Sequence, residues 1–529
     1  MQPRKRPVAL LTVAVPAAAL ATACSDPDNS SGAGTNQSPL VVATSGEPDT
    51  LNPVLGYGAD GSALMFDGLV ARDAQNKLVP ALAEQLPTVD GTTVTAKLRS
   101  GVTFHDGSPL TADDVVFTYR SVLDPKVDST IRSDLDMLDK VEASDPSTVK
   151  FTLKYAYAPF LQRLNLGIVP AKALQGQDVN KAEFNRKPIG TGPYKVASWT
   201  PGDRMVLSAN DSYWGGKPAN ESVVVAFVPD DNVRAQRARA GEFDAVELAP
   251  KLAGGFTGVA GFTVHKVPTA DYRGVMLPMK NPVTGDPAVR RALNAAVDRA
   301  AMVKGVLGGA GEPAFGPVPS TSEFAEPSIT GSGTADTAAA AKLLDDAGWT
   351  AGGDGIRAKG GQRAQFTLMY PAADSLRKEL ALAVTADAKK AGIEIKPEGL
   401  TWDAITPRMK SDALIMGWGT PFDPDFVSYK LFGSQFAEQG FFNPGSYSSP
   451  VVDKALQDGR SQTDPAQRKS AYATFQKQLA ADAPWVFLTY LQHTYVIRDN
   501  ITGVTPRVEA HEHGVAGGIW WNLHTWSKK

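Results

Sequence analysis

The sequence predicts an α/β fold divided into two or three domains. The chain has 529 residues, whereas a single hydrophobic core stops growing at about 250–300 residues. Strand-like runs alternate with amphipathic helical stretches, which is the pattern of a parallel sheet covered by helices. Hydrophobic residues make up 43% of the chain and charged residues 21%, the composition of an ordinary globular protein.

The first predicted elements lie between residues 39 and 123. The run "PLVVATSG" (39–46) is rich in β-forming residues and predicts a strand. The run "TVTAKLRSGVTFHDG" (93–107) predicts two strands joined by a turn at its Ser-Gly pair. A helix over residues 112–123 follows, because Thr111 and Asp114 have nearly the spacing of a capping box.

The later elements continue the alternation. An Asp-Pro pair begins a helix over residues 287–307, whose apolar side chains fall on one face. Residues 374–391 predict another helix, which Gly392 ends and a strand follows. A last long helix begins at Pro465, and "WVFLTYL" (485–491) predicts a strand after it.

The N-terminal segment has the three parts of an export signal. Residues 4–6 are basic, residues 7–23 are apolar but too short to span a bilayer comfortably, and small residues lead to Cys24. The segment resembles a bacterial lipoprotein signal, so we expect residues 1–23 to be removed and Cys24, the only cysteine, to carry lipid. Residues 24–38 predict a flexible tether. This implies an extracytoplasmic protein anchored to the cell membrane; the alternative is an ordinary signal peptide with an incidental cysteine.

Composition and motifs argue against several classes of function. The formal charge is −3, without the concentrated basic patch that nucleic-acid binding needs. The sequence contains no G-x-S-x-G, no H-E-x-x-H and no Walker loop, and its single cysteine excludes cysteine zinc sites. We therefore expect no enzyme activity and no cofactor. A monomer is expected as well. A secreted hydrolase and a scaffold or signalling protein are the rival interpretations.

Four motifs in order resemble one known family. They are "FHDGSPLTADDVVFTYRSVLDP" (104–125), "PIGTGPYKVASWTPGDRMVLSANDSYWGGKP" (188–218), "RARAGEFDAVEL" (237–248) and "DPAVRRALNAAVDR" (286–299). Together they resemble the extracytoplasmic solute-binding proteins of the peptide/nickel class, family 5, which serve ABC importers. The resemblance covers nearly the whole chain after residue 38. It implies a permease and an ATPase as partners.

The resemblance also implies a fold and its division. The expected fold is the two-lobed periplasmic-binding-protein-like fold (type II, large cluster), with an inserted subdomain and a hinged ligand cleft. Lobe I would combine residues 39–56, 187–269 and 489–529. An inserted subdomain, here called the insertion, would span residues 57–186, and lobe II would span residues 270–488.

The segment "MGWGTPFDPDF" (416–426) bears most directly on the ligand. Glycines flank Trp418 and prolines follow it, a context typical of a cleft-lining loop. In dipeptide-binding relatives an acidic residue near this tryptophan pairs with the peptide ammonium, and Asp423 is the candidate here. Metal-chelate-binding relatives have a similar segment followed by a histidine, which this chain lacks. Both signatures are incomplete here, since Pro421 stands where dipeptide-binding relatives have the acidic residue. Short peptides are the leading ligand because the family handles them most often, and nickel or another metal chelate is the alternative.

Further candidate residues follow from the resemblance. The segment "TADYRGVMLPMKNP" (269–282) marks the crossing between lobes, and "GYGADG" (56–61) is a glycine-rich loop expected to line the cleft. No protein metal site is expected for a peptide receptor. If a metal chelate is bound, His511 and His513 are the candidates, because a spacing of two places both on one side of a strand. The expected ligand-binding residues are Tyr57, Tyr272, Arg273, Trp418, Phe422, Asp423, Asn443 and Tyr447.

Overall fold

The computed structural model describes residues 38–59, 64–511, 514–515 and 517–529. The predicted leader, Cys24, nearly all of the tether and His513 lie outside the described residues. The strands are β1 (Leu40–Thr44), β2 (Val70–Arg72), β3 (Leu78–Pro80), β4 (Thr88–Asp90), β5 (Thr93–Lys97), β6 (Leu138–Asp145), β7 (Thr148–Leu153), β8 (Tyr194–Thr200), β9 (Arg204–Ala209), β10 (Ser222–Phe227), β11 (Ala245–Glu247), β12 (Phe262–Met276), β13 (Gly311–Pro313), β14 (Thr350–Ala351), β15 (Arg357–Lys359), β16 (Gln362–Arg363), β17 (Gln365–Pro371), β18 (Glu394–Leu400), β19 (Ala413–Trp418), β20 (Trp485–Arg498), β21 (Ile501–Thr502) and β22 (Ser527–Lys528). The α-helices are α1 (Ala112–Leu123), α2 (Ala171–Leu174), α3 (Asp231–Arg239), α4 (Pro250–Gly254), α5 (Pro287–Ala296), α6 (Arg299–Gly305), α7 (Thr337–Asp346), α8 (Ser375–Lys390), α9 (Trp402–Ile405), α10 (Asp425–Phe432), α11 (Pro450–Ser461) and α12 (Pro465–Asp482).

The largest sheet has eleven strands and is mixed. Ten follow the order β18-β17-β19-β12-β20-β11-β1-β10-β9-β8, and β13 also pairs with β20. β1 is parallel to β10 and β11, and β17 is parallel to β18 and β19. The expectation of parallel strands is correct for these four pairs and wrong for the others. Chain reversals such as β8–β9, and the return of the chain through β20, produce antiparallel neighbours.

Two long antiparallel strands, β12 and β20, cross from one half of this sheet to the other. β12 has 15 residues and β20 has 14, and they pair from Phe262 opposite Arg498 to Met276 opposite Trp485. The register shifts after Pro268, near the middle of β12, as a bulge would shift it. These two strands are therefore the main covalent and hydrogen-bonded link between the two halves.

Buried apolar side chains divide into separate cores at the crossing strands. The largest core takes its members from residues 40–267 and 495–526, so lobe I and the insertion share it. A smaller core also belongs to lobe I. Two further cores draw on residues 272–490. We therefore propose that the lobe boundaries fall within β12 and β20.

Several predicted elements are present, with the capping contacts that the sequence indicates. The Thr111 backbone N–H and hydroxyl both donate to Asp114 at 2.9 Å, where α1 begins. Asp374 accepts the backbone N–H of Arg377 at the start of α8. Gly392 follows the end of α8 with a φ of +82°, a conformation that glycine adopts without strain.

Two predicted elements differ in the structure. The helix expected over residues 287–307 is divided into α5 and α6, because Val297 has an extended ψ of 124° and Asp298 caps a new helix. In the described chain after β5, only an isolated bridge between Thr103 and Pro109 replaces the second strand of the expected hairpin. In both places an aspartate overrides the apolar pattern by accepting a local backbone N–H: Asp298 from Ala301, and Asp106 from Ser108 at 3.0 Å.

The insertion contacts lobe II through charged groups, of which Arg460 and Asp425 are buried and Asp136 is partly exposed. Asp136 of the insertion accepts two hydrogen bonds from the Arg460 guanidinium, at 3.0 and 3.2 Å. Arg460 also pairs with Asp425 at 3.1 Å, and the Tyr157 hydroxyl donates to Asp425 at 2.5 Å. Arg460 is only 1% exposed, so its charge depends on these two carboxylates.

A double-mutant cycle tests the pair that joins the insertion to lobe II. Asp136→Asn should lower the free energy of unfolding by about 1–3 kcal/mol, because it removes a charge-assisted bond. In an Arg460→Gln background the same change should cost little. Urea denaturation measures all four proteins, with Glu142→Gln, in an exposed pair with Lys140, as the matched control. Equal costs in both backgrounds would contradict a direct pair.

Candidate functional site

A cavity of about 290 Å³ lies between the lobes. Side chains of β12 and β20 and His511 form its floor. Lobe I contributes residues 247–250, and lobe II contributes side chains from between residues 371 and 377. A ligand in this cavity would contact both lobes and the strands that join them, which is the arrangement that couples binding to lobe closure.

The cavity floor carries a buried ion cluster centred on Asp271. The Asp271 carboxylate is hydrogen-bonded to the rings of His493 and His511, each at 2.9 Å, and it pairs with Arg273. The other ring nitrogen of His493 is hydrogen-bonded to Glu509 at 2.6 Å. Asp271 is 1% exposed, and a carboxylate buried to this degree is stable only with such partners.

The cluster shifts the pKa of its members in opposite directions. Burial alone would lower the pKa of His493, but its hydrogen bonds to Asp271 and Glu509 raise the pKa to about 10. Burial would raise the pKa of Asp271, whereas Arg273 and the two histidines hold it well below its usual value. Burial lowers the pKa of His511 in spite of Asp271. At neutral pH His493 is therefore a cation and His511 is uncharged.

Glu247 presents a carboxylate to the cavity from the lobe I wall. It is the last residue of β11, and burial raises the pKa of its carboxyl group. Among the described residues, none lies within hydrogen-bond or ion-pair distance of this carboxylate, although the more distant positive charges of His493 and Arg234 lower its pKa against the effect of burial. Because a partly buried carboxylate without a partner is unfavourable, a ligand cation at this position would stabilise it.

Two arginines add positive charge to the cavity, one from its floor and one from lobe II. Arg273 of β12 and Arg377 of α8 both line the cavity and are each 8% exposed. One terminal nitrogen of each binds an aspartate, Asp271 or Asp374, while the Nε of each has no acceptor in the described part of the chain. Burial and the nearby Arg273 lower the pKa of Arg377. Two neighbouring guanidinium groups with donors to spare favour an anionic ligand group.

Polar contacts between the lobes close one side of the cavity. The Ser375 hydroxyl, at the start of α8, donates to Asp231 of α3 at 2.7 Å. Asp231 also pairs with Arg234 at 2.5 Å. Lys251 of α4 pairs with Glu379 of α8. The structure therefore has the two lobes in contact beside the cavity.

Two of the sequence-predicted residues, Arg273 and His511, line this cavity. Trp418 lies behind the cavity wall, with its ring centre 6.1 Å from that of His511. Position 419, directly after Trp418, requires glycine for a steric reason. A Cβ there would lie 1.9 Å from the Ala270 carbonyl oxygen, and the φ of Gly419 is +146°. Trp418 is half-buried and does not line the cavity in this conformation.

The structure places the predicted ammonium partner, Asp423, in the interior of lobe II. Asp423 is 1% exposed. Its carboxylate pairs with Arg468 at 2.7 Å and accepts the Tyr472 hydroxyl at 3.2 Å. These contacts neutralise the charge within lobe II, so Asp423 does not face the cavity.

Three predicted aromatic residues also lie outside the cavity. Tyr272 is completely buried in a lobe II core, edge-on to neighbouring aromatic rings. Phe422 lies beneath the Arg72 guanidinium, 3.6 Å from it. Tyr57 lines a separate cavity of about 470 Å³ near β1, and burial raises the pKa of its hydroxyl.

The two remaining predicted residues, Asn443 and Tyr447, stabilise a loop. The Asn443 amide donates to the Gly433 and Tyr447 carbonyls at 3.0 and 2.7 Å and accepts the Tyr447 backbone N–H at 2.9 Å. The Tyr447 hydroxyl donates to Asp482 at 2.6 Å. Both side chains have their polar groups occupied within lobe II.

Sequence reasoning missed Glu247, Arg377 and His493. The signal for His493 is its position as a single histidine within the long apolar run of β20, where a polar side chain requires a partner. Glu247 stands in a quoted motif, "RARAGEFDAVEL", but nothing local shows that β11 ends at the cavity. Arg377 resembles any other helix arginine until the tertiary fold places it.

Comparison with known proteins identifies the family. Residues 77–439 match the family described as bacterial extracellular solute-binding proteins, family 5 Middle. This chain belongs to that family. Family 5 solute-binding proteins are extracytoplasmic substrate-binding components of ABC importers, and the relatives of this chain are binding proteins rather than enzymes.

The similarity extends over nearly the full length of several family 5 proteins. The chain is 49% identical to Protein XP55 of Streptomyces lividans, covering 96% of this chain and 94% of that protein. The structure of NikZ from Campylobacter jejuni in complex with Ni(L-His) is 31% identical, with a TM-score of 0.86, covering 93% of this chain and 99% of that one. The structure of the oligopeptide-binding protein AppA from Bacillus subtilis in complex with a nonapeptide is 30% identical, with a TM-score of 0.82 and the same coverage. These neighbours confirm the two-lobed α/β fold.

The described residues contain neither a membrane-spanning helix nor a metal-binding cluster. No described helix has both the length and the apolar character needed to cross a membrane. In the same part of the chain, no group of three or more His, Cys, Asp or Glu side chains is placed to hold a metal ion.

The pH dependence of stability tests the charge on His493. Its folded pKa of about 10 exceeds the unfolded value of about 6.5, so its stabilisation is complete below the unfolded value and disappears as pH rises through the folded value. His493→Gln should therefore destabilise this family 5 protein by about 3–5 kcal/mol near pH 6, because it removes the positive charge that lies between the Asp271 and Glu509 carboxylates. The difference from the wild type should shrink towards pH 10.5 or so.

Thermal melts across this pH range measure that difference. His265→Gln, at a half-buried position on β12 where burial lowers the pKa, is the matched control. A wild-type advantage over His493→Gln that stays constant with pH would contradict a charged His493.

Proposed function

We propose that this protein is the lipid-anchored substrate-binding component of an ABC importer for short peptides. It captures a peptide outside the membrane, closes its lobes around it and delivers it to the permease and ATPase complex. One observation carries the ligand assignment: the cavity between the lobes is lined by the Glu247 carboxylate, which has no direct partner among the described residues, and by two arginines, Arg273 and Arg377, whose Nε atoms have no acceptor there.

A free peptide has the complementary pair of charges. Its ammonium group would pair with Glu247, and its carboxylate would accept hydrogen bonds from Arg273 and Arg377. Each such charge-assisted bond is worth about 1.5–3 kcal/mol in a desolvated site. Because the two ends bind opposite lobes, the ligand favours the closed form over the open one.

The cavity volume limits the ligand. At about 290 Å³, it lies at the lower end of the range of roughly 300–1,000 Å³ found for small-molecule pockets. A peptide of about two or three residues suits this space, with its charged ends at the two walls. The expected ligand is therefore a dipeptide or tripeptide.

A metal chelate is the second candidate, and His511 is the observation that favours it. His511 lines the cavity and burial lowers its pKa, so its neutral imidazole suits nickel. Arg273 and Arg377 would bind the carboxylates of the chelator, and His513 would be the further histidine expected from the sequence. NikZ, which is similar along nearly its whole length, is described in complex with Ni(L-His).

Isothermal titration with Ala-Ala and N-acetyl-Ala-Ala tests the peptide proposal. Glu247→Gln should reduce the affinity for Ala-Ala about ten- to a hundredfold, because it removes a charge-assisted bond. N-acetylation should cost the wild type about as much but cost the variant little, since both changes delete one contact. Asp423→Asn is the comparison variant and should leave the affinity of the folded protein unchanged.

Other outcomes identify the rival functions. An isotherm that needs added nickel, survives Glu247→Gln and collapses in His511→Ala would establish the metal chelate. Cleavage of the peptides during incubation would indicate a hydrolase. If Asp423→Asn loses affinity and Glu247→Gln does not, the peptide ammonium group binds Asp423, as the sequence suggests.

Membrane fractionation tests the lipid anchor. Wild-type protein should fractionate with membranes, because the diacylglyceryl group expected on Cys24 provides the two chains that stable attachment needs. Cys24→Ser should disturb processing and release the protein or mislocalise it. A Cys24→Ser protein that stays quantitatively with membranes would contradict lipid anchoring.

A further inference from the structure

The cavity between the lobes has an apolar part beside its charged floor. On the lobe I side this part is formed by Leu248, Ala249 and Pro250. On the lobe II side it is formed by side chains from between Pro371 and Leu376. Neither end group of a peptide would contact these surfaces favourably, so they are available for an apolar side chain of the ligand.

An exposed aromatic pair lies where this apolar part meets solvent. Trp402, the first residue of α9, lines the cavity and is 42% exposed. Its ring packs edge-on against Phe441, which is 37% exposed, with ring centres 5.5 Å apart. All nine tryptophans lie in the described residues. Trp402 is exposed, whereas the other eight are buried or half-buried.

Packing within the protein does not account for this pair. Neither Trp402 nor Phe441 belongs to any of the apolar cores formed by the described residues. An indole that both lines a cavity and remains open to solvent is a ready surface for a flat or apolar ligand group. Because Trp402 also lines the cavity, we expect the bound ligand to cover its exposed ring.

We infer that Trp402, supported by Phe441, is a specificity-determining residue that selects peptides with an aromatic or large apolar side chain. This inference rests on the proposed peptide function. The charged ends of the peptide are held at the floor and walls, and the side chain extends past Leu248 and Leu376 onto the indole face. Small peptides without such a side chain bind through their ends alone.

Isothermal titration with three dipeptides, Ala-Ala, Ala-Phe and Phe-Ala, tests this selection. In the wild type at least one phenylalanine peptide should bind about three- to tenfold more tightly than Ala-Ala, because an aromatic contact contributes that much. In Trp402→Ala this advantage should disappear while the affinity for Ala-Ala stays the same. Phe441→Ala should reduce the advantage in part.

Trp521→Ala is the matched control, because Trp521 lies outside this cavity with the Arg507 guanidinium 4.8 Å from its ring centre. It should keep the full preference. As a second measurement, the phenylalanine peptide that binds more tightly should protect wild-type tryptophan fluorescence from acrylamide quenching more than Ala-Ala does, and this difference should be absent in Trp402→Ala.

The results also separate failure of this inference from failure of the proposed function. If all three dipeptides bind with equal affinity, or if the phenylalanine advantage survives Trp402→Ala, the inference is wrong and the peptide function stands. If none of the three binds, the peptide function itself is overturned, and the selection with it.

Discussion

The fold depends on how the charge of Asp271 is balanced at the point where the chain passes from lobe I to lobe II. A carboxylate that is 1% exposed requires compensation. It receives this from the charges of Arg273 on the same strand and His493 on β20, and from a hydrogen bond to the uncharged ring of His511 near the C-terminal end. Two ion pairs and this hydrogen bond thereby join three separate stretches of chain at the crossing. Because a hinge has to move without exposing unpaired polar groups, a compact ion cluster beside the bulge in β12 suits this position.

The same cluster determines which groups remain for a ligand. Both ring nitrogens of His493 are hydrogen-bonded to carboxylates, one to Asp271 and the other to Glu509. Its positive charge is therefore compensated within the protein. Arg273 uses one terminal nitrogen on Asp271 and still faces the cavity beside Arg377. Glu247, across the cavity, has no partner among the described residues. The structural charges are thus satisfied within and between the lobes, while Glu247, Arg273 and Arg377 keep charged groups available to a ligand in the cavity.

Much of the fold could be predicted from the sequence, and less of the site. Capping residues and helix-ending glycines are local signals, so α1 and α8 lie where the sequence indicates them, as does β1. Asp298 is also a local signal: it caps α6, so the single helix predicted over residues 287–307 is two helices. The division of the chain came from the family resemblance rather than from any pattern. Asp423 shows the limit for the site: an acidic residue close in sequence to Trp418 proved to be the partner of Arg468, 45 residues away. Glu247 and Arg377 come together only through tertiary structure, which no local pattern encodes.

A crystal structure of the protein saturated with a short peptide tests the central claim most directly. The account predicts that the peptide lies in the cavity between the lobes, with its ammonium nitrogen about 2.7–3.1 Å from a Glu247 oxygen. Its carboxylate should accept hydrogen bonds from Arg273 and Arg377, with Ser375 still bonded to Asp231 across the closed lobes. A peptide bound elsewhere, or bound in this cavity with Glu247 unpaired and its ammonium on another group, would contradict the account.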